Sequence, residues 1–197
     1  MRYAARAVQP TPATQRWYIV FDTAIGRCGV AWHDRGLVRV ALPEASDAAL
    51  RHRLSLGGAR EAEAAPAEVA AAIALIVQHV RGEPAALDTI VLDLEIVPDG
   101  HREIYQAARK IPSGRTVSYG ALARALGKPG AARVIGQAMG KNPWPIVVPC
   151  HRVLAANHAT GGFSAHGGVE TKARLLAAEG FTLRLQAELP LAGPPRR

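Results

Sequence analysis

The hydrophobic pattern of this 197-residue chain changes period at Pro98-Asp99-Gly100, and that change limits the folds open to it. Before it come three short runs of β-branched and aromatic residues, at 17–22, 27–32 and 37–42. Turn signals at Ile25-Gly26 and Asp34-Arg35-Gly36 separate them, so they read as an antiparallel meander. Residues 48–56 and 65–80 are Ala-rich and predict helices, the second with Val69, Ile73, Ile76 and Val80 at helical spacing. Residues 89–94 predict one more strand.

Beyond residue 100 the pattern is helical. A helix over 101–111 ends at Pro112-Ser113-Gly114, and Ser118 is placed as the N-cap of a helix over 121–126. The break Gly127-Lys128-Pro129-Gly130 leads to a helix over 131–139, which together make a helix-turn-helix pattern. A last helix is expected over 169–178, with Gly180 as its stop. The fold class is α+β. A small antiparallel-sheet domain with helices spans 16–98, and a mostly helical, winged-helix-like domain spans 99–185. Flexible tails are expected at 1–15 and 186–197.

The hydrophobic share of 49% supports a real core, and the net charge of +8 points toward a polyanionic partner such as nucleic acid. An arginine-favouring genome would give the same bias. Two cysteines, no signal-peptide pattern and no apolar run of about 20 residues predict a cytoplasmic chain with free thiols and no membrane partner. With no Cys-x-x-Cys and scattered histidines, neither a metal nor another cofactor is expected.

The chemistry concentrates at Pro149-Cys150-His151-Arg152-Val153. A thiol attacks as its thiolate, and a nearby imidazole can take the proton. A lone cysteine is also often just a small buried hydrophobe. Arg133 lies seventeen residues before Cys150 and Asn142-Pro143 eight before it; Gly161-Gly162-Phe163-Ser164 and Lys172-Ala173-Arg174-Leu175 follow it, and Glu179-Gly180 closes the set.

This set resembles the O6-alkylguanine-DNA alkyltransferases, closely over about 100–180 and more loosely over 17–99. The resemblance implies a methylated-DNA–protein-cysteine S-methyltransferase that repairs DNA by direct damage reversal. One alkyl group passes irreversibly from O6-alkylguanine in double-stranded DNA to Cys150, with O4-alkylthymine as a further candidate substrate, and the protein works as a monomer. It implies His151 as the base, Glu179 as its orienting carboxylate and Asn142 as a brace for the cysteine turn. Tyr119 would protonate the leaving guanine and press on the DNA backbone. Arg133 would fill the gap left by the extruded base, because an atom inside the stack is reached only by flipping the nucleotide. Ser118, Gly120, Lys128, Ala131, Ala132 and Gly136 would complete the DNA face, where small side chains suit a minor-groove approach. Val153, Phe163 and Ser164 would form the guanine pocket.

Phe163 stands where the family usually has Tyr, Gly114-Arg115 replaces Gly-Glu, and residues 154–168 run about two residues longer. Three other classes compete: a non-catalytic lesion binder, a DNA-binding regulator and a Cys-His-Glu hydrolase.

Overall fold

The computed structural model describes residues 15–155 and 164–181. Both predicted tails fall wholly or almost wholly outside these residues, as do Phe163 and most of the long loop.

The meander forms as its pattern predicts: β1 (Trp17–Thr23), β2 (Gly26–His33) and β3 (Gly36–Ala41) pair antiparallel in sequence. Side chains alternate between two faces with the period of a strand, except where the β2–β3 register shifts at Ala31/Trp32 and leaves Val38 and Val40 on opposite faces. One face sends Tyr18, Ala31 and Val38 against Leu50 and Leu54 of helix α1 (Asp47–Ser55). The other sends Val30, Trp32 and Val40 into the main core, together with Val69, Ala72, Ile76 and Val80 of α2 (Ala67–Val80). β2 is therefore covered on both faces from Cys28 onward. Cutting Leu54 back to Ala there would cost about 2–5 kcal/mol.

Two departures have local causes. A short strand β4 (Arg60–Glu61) adds to β1 in parallel, giving the order β3-β2-β1-β4. The strand expected at 89–94 is only a single bridge, between Leu37 and Leu92. The chain meets β3 at that one point, through Leu37 N to Val91 O and Asp93 N to Leu37 O, both 3.0 Å. Asp93 then accepts from Glu95 N and turns the chain into a 3₁₀ segment at Leu94–Ile96.

The second half supplies α3 (Asp99–Arg109), α4 (Tyr119–Ala125), α5 (Ala132–Gly140) and α6 (Gly168–Ala178). Ser118 caps α4, its hydroxyl accepting from Ala121 N. Two further strands were not foreseen. β5 (Val117–Ser118) and β6 (Val153–Leu154) form a parallel pair beside the helix pair.

A single buried cluster runs through both halves of the chain, from Val30 to Leu175. Trp144 is its hinge-pin: fully buried, edge-on to Tyr105, and donating its indole N–H to Leu37 O at 2.8 Å. Val40 N donates to Pro143 O at 2.9 Å. The edge of the sheet thus holds the segment that leads to Cys150.

Candidate active site

Cys150 opens a 3₁₀ turn, Cys150–Arg152, that follows a strained stretch of chain. Ile146 has φ of 75°, a backbone conformation that costs a β-branched residue roughly 1–3 kcal/mol and needs rigid surroundings. Those surroundings are present. Val148 N bonds Trp144 O at 2.7 Å, and Asn142 Nδ2 donates to Val148 O at 2.8 Å while its Oδ1 accepts from Trp144 N at 3.0 Å. Asn142 therefore braces the cysteine turn.

The β5–β6 pairing brings the other partner in. Val117 lies opposite Val153 and Ser118 opposite Leu154, which sets Tyr119 beside the cysteine turn. Burial, and then the Cys150 sulfur, push the Tyr119 hydroxyl up, so it keeps its proton at neutral pH. Gly136 of α5 comes close to the Tyr119 ring; a Cβ there would sit 4.0 Å from Cε1, ordinary contact.

Burial also pushes the Cys150 thiol up. The Asn142 hydrogen bond, the Lys172 charge and the backbone amides of Cys150 and His151 oppose that shift without cancelling it. A thiol that rests protonated needs a base. His151 fits that need. Its Nε2 lies 2.8 Å from Glu179 Oε1, while its buried Nδ1 has no hydrogen-bond partner among the described residues. Burial lowers the His151 pKa, and Glu179 only partly restores it, so the ring is neutral and Nδ1 can accept a proton.

Glu179 collects more than the sequence suggests. Arg152 binds both its oxygens at 2.8–3.0 Å, His79 Nε2 lies 3.0 Å from Oε1, and Gly114 N donates to Oε2 at 3.2 Å. Burial would raise this carboxyl, but the hydrogen bonds from His151, His79 and Arg152 hold it well below the usual carboxylate range. Gly114 has φ of 71°, and a Cβ there would meet Glu179 O at 2.9 Å, so only glycine allows this approach. The donor atoms of His79, His151 and Glu179 lie within 4.8 Å of one another, a spacing a metal could use. Arg152 already places a cation on both carboxylate oxygens, so the cluster's chemistry is that of an ion-paired network.

Lys172 is fully buried on α6 and donates to Val153 O at 2.9 Å; burial lowers its pKa to about 8. Val153 itself is buried under the turn, and Ser164 donates its hydroxyl to Gly140 O at 3.0 Å. Cys150, Asn142 and Ser164 border a small cavity of about 50 Å³ that Arg39 and Arg53 of the sheet half also line. The other cysteine, Cys28, is sealed under the sheet and pushed up to about 11, mainly by burial.

Cys150, His151, Glu179, Asn142 and Tyr119 thus converge. The remaining predicted residues form a neighbouring surface. Arg133 is exposed on the first turn of α5, Ala131, Ala132 and Gly120 are half-buried around it, and Lys128 is exposed and paired with Glu103. The sequence reading missed His79, Arg39 and Arg53, and gave Lys172 only as part of the motif, without a role. His79 follows Ile76 by three on the buried stripe of α2, and Lys172 precedes Leu175 and Leu176 by three and four. A polar residue on an apolar stripe was the available signal for both.

Residues 99–181 match the family described as 6-O-methylguanine DNA methyltransferase, DNA binding domain. The methylated-DNA–protein-cysteine methyltransferase of Salmonella typhimurium is 45% identical over 111 residues, 55% of this chain and 61% of that protein. This chain thus aligns with about three-fifths of that relative's length. The crystal structure of Mycobacterium tuberculosis O6-methylguanine methyltransferase superposes with a TM-score of 0.68 at 32% identity, covering 84% of this chain and 93% of that one. The OGT of the same organism, crystallised in complex with DNA, gives 0.67 at 32% identity, covering 82% and 91%. With its cysteine turn, helix pair and sheet all matched in sequence or in space, the chain belongs to the methylated-DNA–protein-cysteine methyltransferase family.

Proposed function

We propose that the protein repairs double-stranded DNA by moving the alkyl group of O6-alkylguanine onto Cys150 Sγ, once per molecule. The observation that carries this reading is His151, next in sequence to a thiol that rests protonated, with Nε2 on Glu179 and a buried Nδ1 that no described residue meets. In the reaction, His151 Nδ1 takes the thiol proton, through a water. The sulfur then attacks the alkyl carbon, the carbon–O6 bond breaks, and its electron pair goes to the guanine. The Tyr119 hydroxyl donates a proton to N3 of the leaving base and recovers one from solvent. The product is a thioether, which does not hydrolyse, and the other cysteine is sealed away.

The target nucleotide must leave the stack, at a cost of a few kcal/mol. Arg133, exposed at the start of α5, replaces the lost stacking. Ser118, Gly120, Ala131, Ala132 and Gly136 let the helix pair approach the minor groove closely, and Lys128 turns from Glu103 to a phosphate. Val153, Phe163 and Ser164 contact the flipped base. In this reading 16–98 is a supporting domain and 99–185 the working one, and the protein acts as a cytoplasmic monomer without cofactors. Among the described residues, no helix is long and apolar enough to cross a membrane.

Intact mass after incubation with a duplex carrying one O6-methylguanine tests the reading. A gain of one methyl, mapped to Cys150, saturating at one equivalent and absent in Cys150→Ala, is expected. Lesion-selective binding with no mass gain would replace the reading with a lesion sensor, and many turnovers would replace it with a hydrolase.

A further inference from the structure

His79 lies outside the segment that matches the family, on the last turn of α2, yet its ring reaches the carboxylate at the centre of the site. Its side chain is 6% exposed and that of Glu179 is 0% exposed. Both imidazoles address the same oxygen: His151 Nε2 at 2.8 Å and His79 Nε2 at 3.0 Å from Oε1. Arg152 spans both oxygens and is itself anchored to Ile111 O, so it fixes the carboxylate from one side. A donor from α2 fixes it from another element.

We infer that His79 is a positioning residue for the alkyl transfer: donating to Glu179 Oε1, it locks the carboxylate in the orientation that directs His151 Nδ1 toward the thiol. The inference rests on the reading of Cys150 as the acceptor. It also gives the sheet half of the chain a part in the chemistry, since α2 carries His79.

The charge count follows. With His79 neutral, Glu179 and Arg152 cancel, and the proton that His151 takes from Cys150 leaves the buried group with one net positive charge. With His79 protonated, the same step puts three cations around one carboxylate. Coulomb repulsion in a poorly solvated site then opposes protonation of His151. The groups facing His79 are Glu179, His151 and Arg152, with Glu83, Asp88, Arg109 and Lys110 lining the same open cleft of about 920 Å³. This cleft gives His79 access to solvent protons.

Single-turnover transfer from an O6-methylguanine duplex, measured from pH 5 to pH 8.5, tests this on wild type, His79→Leu and His79→Gln. The melting temperature of each is recorded alongside. His79→Leu is expected to slow transfer about tenfold near neutral pH, and His79→Gln, which keeps an N–H donor, to restore most of that rate. Leu and Gln variants that are equally slow, or a Leu variant with a lower melting temperature but a wild-type rate and pH profile, would overturn the inference by reducing His79 to packing. No transfer by wild type at any pH would overturn the reading of Cys150 itself, and the inference with it.

Discussion

Two of the buried histidine–carboxylate pairs among the described residues are of nearly the same make. In the sheet half, His33 Nε2 lies 2.8 Å from Asp93, which also binds Arg35 at 3.0 Å. In the helical half, His151 Nε2 lies 2.8 Å from Glu179, which also binds Arg152. They differ at the second ring nitrogen. Nδ1 of His33 accepts from Arg35 N at 3.0 Å, whereas no described residue meets the buried Nδ1 of His151. The first pair spends all its hydrogen bonds on holding a loop; the second keeps one in reserve. The pairing of His with Asp or Glu therefore does not by itself distinguish the proposed site; the second ring nitrogen does.

The largest effect that tests this contrast is at Glu179. Glu179→Gln is expected to slow alkyl transfer by about 10²–10⁴-fold, the range that positioned acid–base groups supply. It should also destabilise the fold by about 3–5 kcal/mol, because Arg152 loses its buried partner. A variant that unfolds earlier but transfers at the wild-type rate would place the carboxylate outside the chemistry. The mirror-image change, His33→Gln, should cost about 1–3 kcal/mol in denaturant unfolding and leave the transfer rate untouched. A slowed rate there would erase the distinction between the two pairs.

Acid should sharpen the contrast further. Burial lowers the His151 pKa, so below the unfolded value of about 6.5 the unfolded chain binds a proton that the folded chain refuses. Stability is then present above about pH 6.5 and is lost as pH falls, by up to about 1.4 kcal/mol per unit for one group. Glu179, held low in the fold, adds a second loss below its unfolded value of about 4.3. Melting temperatures between pH 8 and 5 should show the first slope in wild type and a shallower one in His151→Gln.

The parts of this design that are local were open to reading from the residues. The meander, the capped helix after Ser118 and the stop at Gly180 each rest on a few adjacent side chains, and each formed as expected. Cys150, His151, Glu179, Tyr119 and Asn142 were named through a family motif, and the fold brings them together. What escaped were pairings across long separations. β5 meets β6 through two residues each, too short for an alternating pattern. His79 and Glu179 stand 100 residues apart, and nothing local to either announces the other. The strand expected at 89–94 failed for a related reason: its apolar residues are real, but the carboxylate of Asp93 was already engaged by His33 and Arg35.

The gathering of donors around Glu179 also sets an order of assembly. Its partners come from positions 79, 114, 151 and 152, and it follows Cys150 by 29 residues. A ribosome adds about 5–20 residues per second, so in the proposed reading the thiol is made about one and a half to six seconds before the carboxylate that orients its base. Over that interval the growing chain has its nucleophile and its helix pair but no means of activating the one beside the other. If the proposed reading holds, the last part of the site to be synthesised is the one that makes the cysteine reactive.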